Sequence, residues 1–259
     1  MNQSLGLKEK ILGIIRKEQI SYPRRVHYAS DLGHPCKRYL TYAILNWQER
    51  RPMDAEAQFV VDDGRAKEKW VIEKLQKAGY EIVQTQAPAI WEKYKISGRI
   101  EGKIRIDGKL ELFEIKNASP YLWPKLDSWE AIKDHKFHYI RNWAAQMQLY
   151  AICMNEPRIY MIVVNRLNGD FHEFYIELDY EYAESLLKKA EQINSYVERN
   201  EYPDVKECPD DRCPFLHICL PARDFGPGIG LIVDAELEAM LERRAELKES
   251  SVEYDELDE

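Results

Sequence analysis

Glu114 and Lys116 stand two residues apart inside LELFEIKN, positions 110–117. The run reads as a β-strand, because Leu110, Leu112, Phe113 and Ile115 are apolar and a glycine, Gly108, lies just before it. Residues two apart on a strand project to the same face, so a carboxylate and an ammonium are set side by side. A second carboxylate, Glu101, lies among Ile100, Gly102 and Ile104 in the preceding run ISGRIEGKI (96–104). Two carboxylates meeting at one point bind a hard divalent cation such as Mg²⁺ or Mn²⁺. Such an ion lowers the pKa of a bound water and neutralises charge on a phosphodiester. A lysine beside it can position that water and stabilise the developing charge. Phosphodiester hydrolysis is the chemistry that suits this set, and an edge strand carrying a surface ion pair is its plain competitor. Gln146 and Tyr150, spaced i, i+4, share one face of a later helix.

Thiols form a second constellation. ECPDDRCPFLHIC (207–219) places Cys208, Cys213 and Cys219 close together, and Cys36 lies far upstream in SDLGHPCKRYL. Four thiolates can hold Zn²⁺ or an iron–sulfur cluster, and His34 or His217 could complete a mixed zinc site. Cys153, in AICM, reads as a small buried hydrophobe. An odd total of five cysteines argues for a reducing compartment, so the expected location is cytoplasmic. Charges throughout the first nineteen residues favour a surface helix over a secretory signal. No run approaches the ~18 apolar residues of a membrane span.

The elements that must position these groups follow from periodicity and turn chemistry. Helices are expected at 5–19, from Ser30 to about Trp47, at 55–78, from 123 or 127 to 154, at 180–200 and at 234–250. Strands are expected at 80–91, 95–106, 109–117, 158–167 and 171–178. Asp107-Gly108 and Asn168-Gly169 are hairpin turn signals, and Gly79 is suited to end a helix. Residues 201–228 read as irregular. Helix, meandering strands, helix, strands, helix makes a mixed α/β core with helical flanks.

The formal net charge of −8 is unevenly placed. From Asp234 onward there are eleven Asp/Glu against three Lys/Arg, and the rest of the chain carries 34 of each sign. The body is neutral, which permits a local basic groove. Trp91, Tyr94, Tyr121 and Trp123 alternate with Lys93, Lys95 and Lys125, and Trp129, Tyr139 and Trp143 with Lys133, Lys136 and Arg141. Such interleaving suits a channel for a single nucleic-acid strand, although any one of these aromatics is more simply a packing residue. The acidic end is a solvated helix, a partner-binding element or a mimic of DNA.

Gly98-Arg99-Ile100-Glu101, then Glu114-Ile115-Lys116, then Gln146-x-x-x-Tyr150 resembles the pattern of the RecB-type PD-(D/E)XK nucleases. Glu101 stands where that family usually has Asp, and Asp107 is the alternative. Gly64-Arg65-Ala66-Lys67-Glu68 resembles the family's helix-borne ligand in a glutamate form. One cysteine before the core and three after it resembles the iron–sulfur members, which include the AddB nuclease domain and the small exonuclease of CRISPR adaptation. The likeness spans about 25–222.

It implies an α/β, restriction-endonuclease-like mixed sheet flanked by helices, with a helical N-terminal part and an iron–sulfur-bound C-terminal segment. The expected regions are 1–54, carrying the first cluster cysteine; 55–200, the nuclease core; 201–228, the cysteine segment; and 229–259, the acidic helix or tail. The resemblance implies a metal-dependent DNA exonuclease acting on single strands or DNA ends. Glu68, Glu101, Glu114 and the Ile115 carbonyl would hold Mg²⁺ or Mn²⁺, Lys116 would assist the water, and Gln146 and Tyr150 would shape the site. Cys36, Cys208, Cys213 and Cys219 would hold a [4Fe–4S] cluster. The implied setting is prokaryotic or viral DNA processing. Its partners would be DNA and either a CRISPR integrase or viral replication and recombination proteins, with no membrane and with an oligomer possible. The alternative is a weak or inactive DNA-binding or assembly subunit stabilised by the cluster or by zinc.

Overall fold

The computed structural model describes residues 6–19, 22–204 and 212–221. The chain divides into two compact units, Met1–Pro209 and Asp210–Glu259. All described elements but one belong to the first.

α1 (Leu7–Glu18) precedes β1 (His27–Tyr28), α2 (Ala29–Leu32) and α3 (Lys37–Leu45). α4 (Ala55–Lys77) leads to β2 (Ile82–Val83), β3 (Ala87–Trp91), β4 (Ile96–Ile100), β5 (Gly102–Ile106) and β6 (Lys109–Ala118). α5 (Trp129–Lys133) and α6 (His138–Met154) cross to β7 (Arg158–Asn165). β8 (Phe171–Glu177) and α7 (Tyr180–Arg199) complete the unit. In the second unit, Leu216–Cys219 forms one helical turn, α8. No described helix is long and apolar enough to cross a membrane.

The helix ends obey local chemistry. Asp54 accepts from the Ala57 N–H at 2.6 Å and caps α4. At the other end Gly79, at φ 94°, lets its own N–H reach the Gln76 carbonyl and that of Tyr80 reach the Leu75 carbonyl. That is the paired closure a left-handed residue allows. Two expected helices are broken. The span from Ser30 to Trp47 divides at Gly33–Cys36, because Pro35 has no N–H and disfavours helical backbone before it. Cys36 then starts α3 afresh, its sulfur accepting from Tyr39 N–H at 3.4 Å. The long helix expected to 154 begins only at His138. Ahead of it Ser128 caps the short α5, and His135 Nδ1 takes the Phe137 N–H, diverting it from a helical carbonyl.

The strands form two sheets, where the sequence suggested one meander. A five-stranded sheet runs β2-β5-β6-β7-β8 and a three-stranded sheet runs β1-β4-β3. In the larger sheet only β6 and β7 are parallel. The Asp107-Gly108 turn joins β5 to β6 with both residues at positive φ, 47° and 81°, which matches the strand twist.

The run 95–106 is split at Glu101. Gly102 takes φ 153°, and a Cβ there would lie 3.0 Å from the Val83 carbonyl oxygen and 3.2 Å from the Phe113 ring. Only glycine accepts that bend without moving backbone. The chain thereby leaves the small sheet after Ile100 and enters the large one at Gly102, with Glu101 at the joint.

β6 is the central element. Phe113 and Ile115 pack with Ile104, Ile162 and Val164 beneath Val71 of α4, and Ile72 and Leu75 extend the contact. Alternation puts Leu112, Glu114 and Lys116 on the other face. There Ile159, Met161, Val163 and Ile176 are also buried. α6 contacts β7 and β3 and is buried at Ile140 and from Ala144 to Ala151.

Candidate active site

The sheet joint and the central strand bring the acids together. Register pairs Gly102 with Phe113 across β5 and β6, which sets Glu101 beside Glu114. The Glu101 N–H donates to Glu114 Oε2 at 3.2 Å. Lys116 Nζ donates to Glu114 Oε1 at 2.8 Å. Glu114 is 3% exposed and Glu101 7%, so neither belongs to a wet surface pair. Gln86 Nε2 donates to Glu101 Oε2 at 2.9 Å, and the Gln86 N–H donates to the Glu101 carbonyl at 2.9 Å.

α4 supplies a third acid. Glu68 is half-buried, and its pKa is raised by burial and by the Glu114 charge against the pull of Lys116. Asn117 Nδ2 donates to the Gly64 carbonyl at 3.1 Å, tying β6 to the helical turn that ends at Glu68. Burial pushes Glu101 up to about 7, and the charges of Glu114 and Glu68 add to that shift. Lys116, with help at Glu68 from the exposed Arg65, is set against three neighbouring carboxyls, so the cluster is short of positive charge.

Among the described residues no three His, Cys, Asp or Glu side chains surround one point closely enough to make a metal cage. The oxygens of Glu114 are taken by Lys116 and by backbone, and one oxygen of Glu101 by Gln86. What the arrangement offers is one or two hard carboxylates beside an excess of negative charge. Mg²⁺ binds through one or two carboxylates and keeps several of its waters, so the donor set fits such an ion. Ile115, expected as a carbonyl ligand, lies between Glu114 and Lys116 on β6 with its side chain fully buried in the core on the α4 side.

Gln146 and Tyr150 pair with each other. Gln146 Nε2 donates to the Tyr150 hydroxyl at 2.7 Å, and that hydroxyl donates to the Arg99 carbonyl at 2.6 Å. The pair pins α6 to the end of β4, two residues before Glu101. Burial raises the phenol's pKa, and the Glu114 and Glu101 charges reinforce it, so Tyr150 stays protonated as a donor. Gly98 makes this possible: a Cβ there would lie 2.5 Å from Tyr150 Cε1 and 3.1 Å from Ala29 Cβ. Tyr150 is 2% exposed and is held at its hydroxyl by Gln146 and the Arg99 carbonyl. Gly98→Ala is therefore expected to cost about 1–3 kcal/mol, read as a lower urea midpoint at unchanged slope. A wild-type midpoint would refute the close approach.

Asp107 lies in the hairpin turn and takes its strained backbone. Trp123 is a packing residue, with its Nε1–H on the Val163 carbonyl at 2.9 Å and its ring stacked on His172 at 4.0 Å. Tyr121 is 86% exposed. Cys36 caps α3, with the buried Lys189 amine close enough to feel its thiol. Burial and the neighbouring Lys37 bring Lys189 down to about 8. Cys213 and Cys219 are half-buried in the second unit. Cys208 and the acidic 234–250 helix lie outside the described residues. Sequence reasoning missed Gln86 and Asn117. The left-handed backbone of Gln86 (φ 55°) has no motif, whereas Asn117 directly follows Lys116 and was readable by position.

No protein-family model matches the sequence, and no curated protein does. Among solved structures, SSO0001 aligns with a TM-score of 0.50 at 18% identity, over 83% of this chain and 96% of that one. The alkaline exonuclease LHK-Exo from Laribacter hongkongensis aligns with a TM-score of 0.46 at 14% identity, over 68% and 89%. LHK-Exo in complex with dAMP gives 0.45 at 15%, over 74% and 93%. This chain and SSO0001 share a fold.

Proposed function

We propose that this protein is a metal-dependent deoxyribonuclease of the restriction-endonuclease-like class, acting on single-stranded DNA or DNA ends. One observation carries the reading. Glu101, at the joint of β4 and β5, lies against Glu114 in mid-β6, its N–H 3.2 Å from Glu114 Oε2, with Lys116 Nζ 2.8 Å from Glu114, the charge of Glu68 felt by Glu101 and that of Glu114 felt by Glu68. A bound Mg²⁺ or Mn²⁺ would supply charge neutralisation at the phosphodiester and a more acidic water.

The chain's own residues have distinct tasks. Glu101 and Glu114, with Glu68 as an auxiliary, would hold the ion. Lys116 keeps an ammonium beside Glu114, where it can orient an attacking water and stabilise the negative charge that develops on the phosphate. Gln146 and Tyr150 hold the end of β4, and so the position of Glu101.

The test is cleavage of end-labelled single-stranded DNA in Mn²⁺, with chelator in a parallel reaction. Cutting that needs the ion and releases products from an end supports the reading; equal cutting in chelator overturns it. As a second part of the same proposal, Cys36, Cys208, Cys213 and Cys219 bind a [4Fe–4S] cluster. The layout of one cysteine before the core and three after it supports this part, and the Cys36 sulfur stands at a helix start. Anaerobically purified protein should be brown with bound iron; colourless protein with stoichiometric zinc refutes the cluster.

A further inference from the structure

A cleft of about 300 Å³ opens beside Tyr150. Its walls are Tyr28, Ala29 and Ser30 from the β1–α2 turn, Ser97, Gly98 and Arg99 from β4, and Tyr150. Tyr150 is the partition: it lines the cleft, yet it feels the charges of Glu114 and Glu101. The remaining polar groups are uncommitted. Among the described residues the exposed Arg99 guanidinium has no ion pair or hydrogen bond, and neither serine hydroxyl is engaged. The Tyr28 ring is 43% exposed, and the Arg24 guanidinium lies 4.2 Å from its centroid. Arg24 is itself buried and is held by Asp31 at 2.7 Å. Arg24 therefore supports the ring and is not available to a ligand.

An aromatic face backed by a cation, a free guanidinium and two hydroxyls are the parts that take a nucleotide. The ring offers a base a stacking surface with little sequence preference, and a guanidinium matches a phosphate in geometry and charge. We propose that this cleft seats the nucleotide beside the cut bond, its base on Tyr28 and its phosphate on Arg99, Ser30 and Ser97. The assignment rests on the nuclease reading and gives that site its grip on a single strand.

Anisotropy of a short fluorescein-labelled single-stranded oligonucleotide, in chelator and over a salt series, tests it without turnover. Arg99→Ala should weaken binding about tenfold and lower the log–log salt slope by ~0.7. Arg99 has no partner to lose, so this variant folds. Tyr28→Ala should weaken binding about tenfold, and Tyr28→Phe should bind as wild type because the ring remains. Wild-type affinity and slope in both alanine variants overturn the proposal, as does failure of the wild-type protein to bind the oligonucleotide. Binding lost in both variants of a protein that never cuts DNA in Mn²⁺ sinks the hydrolytic reading and leaves the cleft standing. Cutting that proceeds with wild-type KM in both variants does the reverse.

Discussion

Lys116→Ala should slow DNA cleavage in Mn²⁺ by about 10²–10³-fold, the usual effect of deleting one preorganised electrostatic group, with the loss in kcat and little change in KM. Glu114→Ala should be at least as damaging, because it removes a carboxylate and strands the ammonium. The two residues are one unit, 2.8 Å apart with side chains 15% and 4% exposed. Their effects on rate should therefore not add, and the double variant should cut about as slowly as either single one. Stability separates this role from a purely structural one. Lys116→Ala leaves a nearly buried carboxylate without its cation, and breaking such a pair costs about 3–5 kcal/mol. Lys116→Met with Glu114→Gln removes both charges and should recover most of that loss while remaining inactive. Cleavage at the wild-type rate in both single variants would end the active-site assignment, whatever the stability.

Glu101→Gln should raise the melting temperature of the metal-free protein at pH 8 by roughly 7–14 °C, given ~1.4 kcal/mol per pKa unit and ~2–4 °C per kcal/mol for a domain of this size. At pH 5 it should do almost nothing. The folded chain holds Glu101 at about 7 against an ordinary 4.5, through burial and then the charges of Glu114 and Glu68. A raised carboxyl pKa means that the folded state binds the proton more tightly. Its contribution to stability is full below pH 4.5 and is lost as pH rises towards 7.

Glutamine mimics the protonated form at every pH, so the two proteins should diverge only over that window. His27 acts in the opposite direction. It is buried and lowered to about 4 from 6.5, so its neutral form favours folding and stability falls as pH drops through that range. Comparing variant with wild type cancels this effect. Mn²⁺ at pH 8 should stabilise the wild type and much less the variant, which lacks one hard anionic ligand. Identical melting profiles for the two proteins from pH 5 to 8 would show that Glu101 is not forced against its neighbours.

Much of the framework of the candidate site was legible in the sequence, because the signals are local. Leu112, Phe113 and Ile115 around Glu114 mark a buried strand, and Asp107-Gly108 marks the turn that pairs it with the run before. The spacing of Gln146 and Tyr150 sets them on one helical turn, where they do bond each other. α4 and its glycine stop followed from period and cap.

The failures have two causes, tertiary contacts and one local break. Gly102 looks like an ordinary strand glycine, but the approach of the Val83 carbonyl and the Phe113 ring makes it the hinge between two sheets. The chain from Ser30 to Trp47 has helical composition, and Pro35 overrules it. Nothing near Gly98 in the chain announces that Tyr150 must lie against it.

By itself, the sequence determined which groups are present and which of them a strand or a helical turn sets side by side: Glu114 with Lys116, Gln146 with Tyr150, Asp107 with Gly108. Tertiary structure alone decided that Glu68, Glu101 and Glu114 share one charge-starved spot, and that Tyr28 and Arg99 open a cleft beside Tyr150. The physical reason is range. Turn chemistry and side-chain period act over a few residues, whereas desolvation and Coulomb repulsion depend on what packing brings near from the rest of the chain.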